Sequence, residues 1–354
     1  MPIFALAAAA AMTLAAPAPP APGFKIEPLG GGIYAAVRTD PPGLMVDANS
    51  LFIVNEADVI VVDAPEASAD MIAALRKLTD KPVTYLVNTH WHDDHVIGNA
   101  AWRAAYPGVR IVAEASLRAY MASTGAANRR HMIEGAPPFA AQMQAQMDQG
   151  KNLRGEPITA EERASYTSDI ALVRRYMQVV PQAETVLPDL DVEDGIVLLR
   201  GRRRIEIRYL GRGHTAADLV VWLPMERIVA TGDLVVWPVP LVGADQSHVR
   251  DWPQTLDALL ALSPAVFVPG HGPVLRSADY PRAMRDLFAD IDTQVDAARA
   301  AGAGTLQDVR KRVDLAAFRV RFGGDSKVRQ FLFDNYVAAP AVESAWRDSV
   351  VTDH

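Results

Sequence analysis

The chain has 354 residues, half of them hydrophobic, which is enough for one large domain or two smaller ones. Its net charge of −7 gives no support to nucleic acid as a partner, because an acidic surface repels phosphate. The absence of cysteine excludes disulfides, thiolate nucleophiles and cysteine metal sites, so any bound metal must be held by His, Asp or Glu.

The first part of the chain, residues 1–22, is an apolar segment rich in alanine and proline. Its apolar run is too short to span a bilayer and is typical of a secretory signal followed by a linker. It predicts a periplasmic or secreted protein. Because the segment carries no Lys or Arg, a tail on a cytoplasmic enzyme stays the alternative. No later apolar run is long enough to predict a membrane span.

Short apolar runs separated by turn signals occupy the chain as far as residue 113. Strands are predicted at 33–37, 50–54, 59–63, 83–88 and 109–113. Helices are predicted at 67–78 and 97–105, where apolar residues recur at helical spacing. Hairpins followed by β-α-β units predict an α/β layered fold with a mixed sheet.

The segment from about 115 to 182 predicts a helical insertion, because helix-forming residues are interrupted there by Gly and Pro. Its apolar side chains either line a lid over a site or pack as ordinary helix core, and both interpretations stay open. The side chains in question are Met121, Met132, Phe139, Met143, Met147 and Met177.

Strands return after the insertion, and the chain then becomes helical. The strands are predicted at 196–199, 205–210, 218–223, 227–231 and 266–269, with a helix at 252–262. The basic run 200–204 is interpreted as a hairpin turn, because it lacks interleaved aromatic residues. A main domain at 23–278 is therefore expected, followed by a helical C-terminal extension at 279–354.

The strongest chemical signal is the segment from His90 to His95, which reads His-Trp-His-Asp-Asp-His directly after a predicted strand. His90 and His92 are two residues apart, so they point to the same side if the chain stays extended. Asp94 and His95 follow as the chain turns into the next helix and can face a second position. Imidazole and carboxylate ligands suit Zn²⁺, and they also suit Mn or Fe.

Three further segments each place one such side chain just past a short apolar strand and beside a glycine. These side chains are His214, Asp233 and His271. Glycine lets the backbone turn sharply and approach a crowded site. Because ligands at the ends of successive strands converge on one edge of a sheet, the three segments and the 90–95 segment predict one site.

The ordered set resembles the metallo-β-lactamase-fold superfamily over roughly residues 30–275, with Asp63 at the end of an early strand as its first motif. The resemblance implies an αβ/βα sandwich with two metal ions, zinc by preference, at one edge of the two sheets. It implies that His90, His92 and His214 hold the first metal, that Asp94, His95 and His271 hold the second, and that Asp233 bridges both. Asp63 would orient the metal-binding loop from behind the ligands.

The resemblance also implies a hydrolase. A hydroxide shared by the two metals would attack the ester, lactone, thioester or amide bond of a small molecule, β-lactams included. Asp94 and the adjacent Asp93 are the catalytic candidates, Asp93 through proton transfer. Two alternatives stay open: a mononuclear iron dioxygenase of sulfur compounds, and a metal-binding protein without catalysis. The sequence leaves the oligomeric state undetermined.

Overall fold

The computed structural model of the protein describes residues 23–351, so the predicted secretory signal lies outside the described residues. The described strands form two sheets. The first contains, in order, β1 (Phe24–Gly30), β2 (Ile33–Arg38), β3 (Ser50–Val54), β4 (Val59–Val62), β5 (Val83–Val87), β6 (Arg110–Glu114) and β7 (Leu190–Val192). Strands β1 to β4 pair antiparallel, and β4 to β7 pair parallel.

The second sheet contains β8 (Gly195–Arg200), β9 (Arg203–Tyr209), β10 (Leu219–Leu223), β11 (Ile228–Val236) and β12 (Val266–His271). The pairs are antiparallel except for β11 and β12, which run parallel. The carboxyl ends of these last two strands therefore lie at the same edge of the sheet.

Helices cover the outer faces of both sheets and produce four layers. The first sheet carries α1 (Ser68–Leu78), α2 (Asp93–Val96) and α3 (Asn99–Ala105). Leu75 of α1 and Trp102 of α3 pack on its outer face. Between the sheets, apolar residues such as Ile33 and Ile207 form a second core. This αβ/βα arrangement confirms the predicted fold class.

The helices between β6 and β7 coincide with the predicted insertion. They are α4 (Leu117–Tyr120), a π-helical turn (Met121–Gly125), α5 (Ala126–Asp148), α6 (Ala160–Val179) and a 3₁₀ turn (Val180–Gln182). Helix α6 begins with a capping box between Thr159 and Glu162. Helices α5 and α6 enclose a small core of their own that includes Met143 and Ile170.

The last helices pack on the outer face of the second sheet. Helix α7 (Trp252–Ala261) precedes β12, and α8 (Asp279–Ala300), α9 (Leu306–Arg310), α10 (Ala316–Gly323), α11 (Lys327–Phe333) and α12 (Ala339–Val351) follow it. Phe288 and Phe333 share one core with Phe267 of β12. The C-terminal helices therefore complete the sandwich instead of enclosing a separate core. None of the described helices is long and apolar enough to cross a membrane.

Several predicted boundaries differ from those observed. Strands β1 and β7 were not predicted: β1 contains Pro28, and β7 has only three residues. The helix expected at 97–105 is α3, which begins at Asn99, and the short helix α2 precedes it. Strand β11 runs on to Val236, so Asp233 lies inside a strand and not just past its end. The basic run 200–204 does form the turn between β8 and β9.

Candidate metal centre

The predicted ligands gather at one edge of the sandwich. The parallel strands β4 and β5 end immediately before Asp63 and Asn88, and β12 ends at His271. His214 lies in the loop after β9. Because parallel strands end at the same edge, segments that are far apart in the chain deliver their side chains to one place.

The segment 90–95 adopts the backbone that its spacing predicts. His92 has an extended conformation with φ −64° and ψ 146°, and α2 begins at the next residue. Asp63 has φ 62°, a left-handed conformation that Asp tolerates better than most residues. Its carboxylate accepts hydrogen bonds from the Thr89 N–H at 2.8 Å and from His95 Nδ1 at 2.8 Å. The end of β4 therefore holds the histidine segment in place.

Seven side chains form two adjoining groups that could each hold a metal ion. The first group is His90, His92, His214 and Asp233, and the second is Asp94, His95 and His271. Within each group the potential ligand atoms lie within 4.8 Å of one another. His92 presents Nδ1 to the first group, 3.0 Å from Nε2 of His214.

Asp233 lies between the two groups and faces both. Its Oδ2 is 3.5 Å from His214 Nε2 and 4.0 Å from His90 Nε2, which belong to the first group. Its Oδ1 is 3.4 Å from Nε2 of both His95 and His271, which belong to the second. Each carboxylate oxygen therefore points to a different group, the arrangement needed for a bridging ligand. Gly270 packs against Oδ1, where a larger residue would clash.

Each of the five histidines has its other ring nitrogen within hydrogen-bonding distance of an oxygen. The pairs are His90 Nδ1 with Thr89 Oγ1 (3.2 Å), His92 Nε2 with Gln246 Oε1 (3.1 Å), His95 Nδ1 with Asp63 Oδ2 (2.8 Å), His214 Nδ1 with the Leu241 carbonyl (2.9 Å) and His271 Nδ1 with the Asp47 carbonyl (3.2 Å). Such partners set the tautomer and orientation of a metal-binding histidine.

The atoms that face the middle of the two groups have no hydrogen-bond partner, although they are buried. They are Nε2 of His90, His95 and His271, Oδ2 of Asp94 and Oδ1 of Asp233. An unsatisfied buried polar atom costs about 1–3 kcal/mol, so five in one place would be strongly unfavourable without a ligand. Metal ions would satisfy all five, and the residues present therefore fit a metal centre.

The two groups differ in the protonation of their histidines. Burial lowers the pKa of His90 and His92, and lowers that of His214 to about 4, so these rings are neutral near pH 7. Burial alone would also lower the pKa of His95 and His271. Nearby carboxylates outweigh it, raising the pKa of His95 well above its usual value and that of His271 to about 10.

A cavity of about 220 Å³ opens beside His92 and Asp94. Its wall is mostly apolar and includes Trp91 and Met132. Of the other predicted lid residues, Met143 and Met147 pack in the core between α5 and α6, Met121 packs beside Trp91, and Phe139 and Met177 lie at the edges of helix cores. The insertion therefore contributes to this cavity, while most of its methionines are core.

Asp93 also lines the cavity, but both of its carboxylate oxygens are engaged by the insertion. Arg129 Nη2 donates to Oδ1 at 2.6 Å, and the Tyr176 hydroxyl donates to Oδ2 at 3.0 Å. This arrangement does not favour the proton-transfer role predicted for Asp93, because both carboxylate oxygens already accept hydrogen bonds from the insertion. It favours a role in holding the insertion against the 90–95 segment.

Sequence reasoning missed Gln246, Thr89 and Glu66, which surround the ligands. Gln246 and Glu66 line the cavity, and no local motif distinguishes them from other polar residues. Burial, with Asp47 and Asp94 nearby, raises the pKa of Glu66 to about 9, so it enters the cavity as a neutral acid near pH 7. Thr89 precedes the first ligand, so its position beside the motif was the one available signal.

Comparisons with known proteins agree with this geometry. Residues 45–271 match the family model described as the metallo-beta-lactamase superfamily. A type 2 metallo-beta-lactamase of Bacteroides fragilis is 23% identical over 235 residues, which cover 64% of this chain and 70% of the relative. A type 2 metallo-beta-lactamase of Bacillus cereus is 33% identical over 88 residues, 24% of this chain and 34% of the relative. The solved metallo-beta-lactamase of Pontibacter korlensis shares the fold, with a TM-score of 0.52 and 17% identity over 75% of this chain and 99% of that one.

Proposed function

Since the chain belongs to the metallo-beta-lactamase superfamily, we propose that it is a hydrolase with two zinc ions in this centre. The bond cleaved would be an ester, lactone, thioester or amide of a small molecule, with β-lactams included. The observation that carries the proposal is that the two ring nitrogens of each proposed histidine ligand have different surroundings. One ring nitrogen is held by an oxygen, and the other meets its neighbours around an interior of unsatisfied atoms.

The ligand roles follow from which atoms face each group. His90, His92 and His214 would hold one metal, and Asp94, His95 and His271 would hold the other. Asp233 would contact both through its two oxygens. Three protein ligands with a further open position are typical of catalytic zinc, and the same nitrogen and oxygen donors also accept Mn or Fe.

Metals bound here would lower the pKa of a coordinated water and polarise the bond to be cleaved. The chain's own residues have distinct tasks around that chemistry. Asp94 lines the cavity. Burial alone would raise the pKa of its carboxyl, but His95 and His271 lower it, which keeps Asp94 ionised as a metal ligand requires. Glu66 is placed to donate a hydrogen bond to a substrate, and Asp93 positions the insertion through Arg129.

The completeness of the second group favours a dinuclear hydrolase over a mononuclear iron dioxygenase. His95 is held by Asp63 and His271 by the Asp47 carbonyl. Asp94, His95 and His271 each present an unsatisfied atom, which a single metal in the first group would leave without a partner. The same unsatisfied atoms fit a metal-binding protein without catalysis equally well, and the substrate panel below separates that alternative from a hydrolase. We further propose that residues 1–22 direct the protein to the periplasm or the exterior. Residues 23–278 would then form the catalytic region, and residues 279–354 its helical C-terminal extension.

The test is a metal count combined with a substrate panel. The protein is purified without added metal, analysed for its elements, and assayed against nitrocefin, aryl esters, lactones, thioesters and phosphodiesters. We expect two zinc ions per chain and turnover of one substrate class, which His92→Ala abolishes and His131→Ala, at an exposed histidine, preserves. A single iron with oxygen consumption, or no hydrolysis by the zinc-loaded protein, would overturn the proposal.

A further inference from the structure

Resting on the hydrolase function proposed above, we infer that the substrate is a molecule without charged groups that carries one apolar group on each side of the scissile bond. The two groups would occupy separate compartments of the site. Esters, lactones and thioesters of this kind are therefore favoured over substrates that carry a carboxylate or phosphate on either of the two groups.

The metal centre is bordered by two compartments. The catalytic cavity, the space of about 220 Å³ described above, reaches His92 and Asp94. A second space of about 70 Å³, the side cleft, reaches His271. A bond held at the metals would therefore have room on either side for the group attached to it.

A single loop separates the two compartments. This strap, residues 41–47, contributes Met45 and Val46 to the walls of both spaces. On the far side of the strap, Trp237 and Leu332 add apolar surface to the side cleft. Burial of an apolar group yields about 25 cal/mol per Å² removed from water, so both walls favour hydrocarbon or aromatic groups.

The strap is a fixed partition, because two distant helical regions hold it. Asp169 of α6 accepts hydrogen bonds from the backbone N–H groups of Leu44 and Met45, both at 3.0 Å. The Tyr336 hydroxyl, from the C-terminal helices, donates to the Leu44 carbonyl at 2.5 Å. Asp169 is buried, and Gly43 packs directly against its carboxylate, where a side chain would clash.

The charged residues of the two walls offer no free cation for an anionic substrate. Among the described residues that line them, the guanidinium groups are those of Arg38 and Arg129. Arg38 is paired with Asp40 at 2.7 Å and with Asp47 at 3.3 Å, and Arg129 is paired with Asp93 at 2.6 Å.

Carboxyl groups outnumber cations in these walls even when the proposed metal ligands are set aside. Asp40, Asp47 and Asp93 face two guanidinium groups. A substrate carboxylate or phosphate placed away from the metals would lose water and gain no unpaired cation, which is unfavourable. This balance is the reason for expecting an uncharged substrate.

The first test varies only the charge at the far end of the acyl chain of an ester substrate. The zinc-loaded protein is assayed with 4-nitrophenyl octanoate, with the mono-4-nitrophenyl ester of octanedioic acid, and with the methyl ester of the latter. We expect kcat/KM to fall at least about tenfold when the terminal carboxylate is present and to recover when methylation removes the charge. An equal or higher kcat/KM for the carboxylated ester would overturn this inference alone. Absence of turnover of these esters and of every other substrate on the panel would overturn the proposed function with it.

The second test fills each compartment in turn. Met132→Trp narrows the catalytic cavity and Pro42→Trp narrows the side cleft, and both sites are half-buried. The variant that narrows the compartment for the acyl group should raise KM for the octanoate ester but not for the acetate ester. The variant that narrows the compartment for the nitrophenyl group should raise KM for both esters, because both contain that group. Met225→Trp and Pro107→Trp, at exposed sites, should change neither. If both filling variants respond to acyl length alone, or neither raises KM, the two-compartment inference is wrong.

Discussion

The metal centre and the strap lie side by side, but the chain supports them in different ways. The proposed ligands lie in or close to strands and at the start of a helix, and an outer hydrogen bond holds each of the five histidines. The strap has no strand partner between β2 and β3. Its Leu44 and Met45 depend on Asp169 and Tyr336, and Asp47 at its end is held by Arg38 and the Glu66 N–H. The proposed metal ligands are therefore held by regular secondary structure, whereas the loop proposed to select the substrate is held by a few side-chain hydrogen bonds.

The largest effect is expected from breaking the centre at the residue that faces both groups. Asp233→Asn keeps the shape of the side chain but removes the charge and one acceptor oxygen. Removing a residue that only hydrogen-bonds a metal ligand costs roughly 10–100-fold in activity, and we expect a much larger loss here. We also expect fewer than two metals per chain. Elemental analysis and ester hydrolysis measure both quantities. Asp245→Asn, at an exposed aspartate, is the control, and full activity in Asp233→Asn would refute the bridging role.

A smaller effect is expected one layer further out. Asp63→Asn weakens the carboxylate that holds His95 Nδ1 and the Thr89 N–H, so the zinc affinity should fall about 10–100-fold without unfolding. Competition with a chelator measures that affinity. Asp80→Asn, which is exposed, should leave it unchanged. An unaltered zinc affinity in Asp63→Asn would show that the sheet alone orients the loop.

The two groups of the centre should differ in the protons they release. With its pKa raised to about 10, His271 is protonated in the metal-free protein at pH 7, and so is His95, while the other three histidines, whose pKa values burial lowers, are neutral. Since a metal binds the neutral ring, loading should release about two protons, and affinity should rise as pH rises towards 10. Calorimetry at pH 7 in buffers of different ionisation enthalpy counts the protons. No release would contradict the assignment of the second group.

The smallest effect on chemistry, and the clearest on substrate choice, is expected at the strap. Asp169→Ala leaves the N–H groups of Leu44 and Met45 without their acceptor, so the free energy of unfolding should fall by about 1–3 kcal/mol. Metal content and kcat for the acetate ester should be kept, while KM for the octanoate ester rises. Denaturant unfolding and ester kinetics test this, with Asp148→Ala as an exposed control in the same insertion. Loss of metal would contradict a separate role for the strap.

Local patterns in the sequence determined the fold class and most strands. A run of a few apolar residues between turn signals predicts a strand from its own residues, without reference to the rest of the chain. The types and spacing of the seven proposed ligands were also readable, since residues that follow parallel strands must meet at one edge. Strand β1, with its proline, and the three-residue β7 were missed, because pairing with a neighbour and not local pattern defines them.

Only the tertiary structure decided how the surroundings of the centre are used. The Asp93 carboxylate accepts hydrogen bonds from Arg129, 36 residues away, and from Tyr176, 83 residues away. Gln246 reaches His92 across 154 residues, and Asp169 reaches the strap across 125. Such contacts join segments that have no common periodicity or motif. They form because packing of the insertion and the C-terminal helices brings buried polar groups together, and each such group must then find a partner.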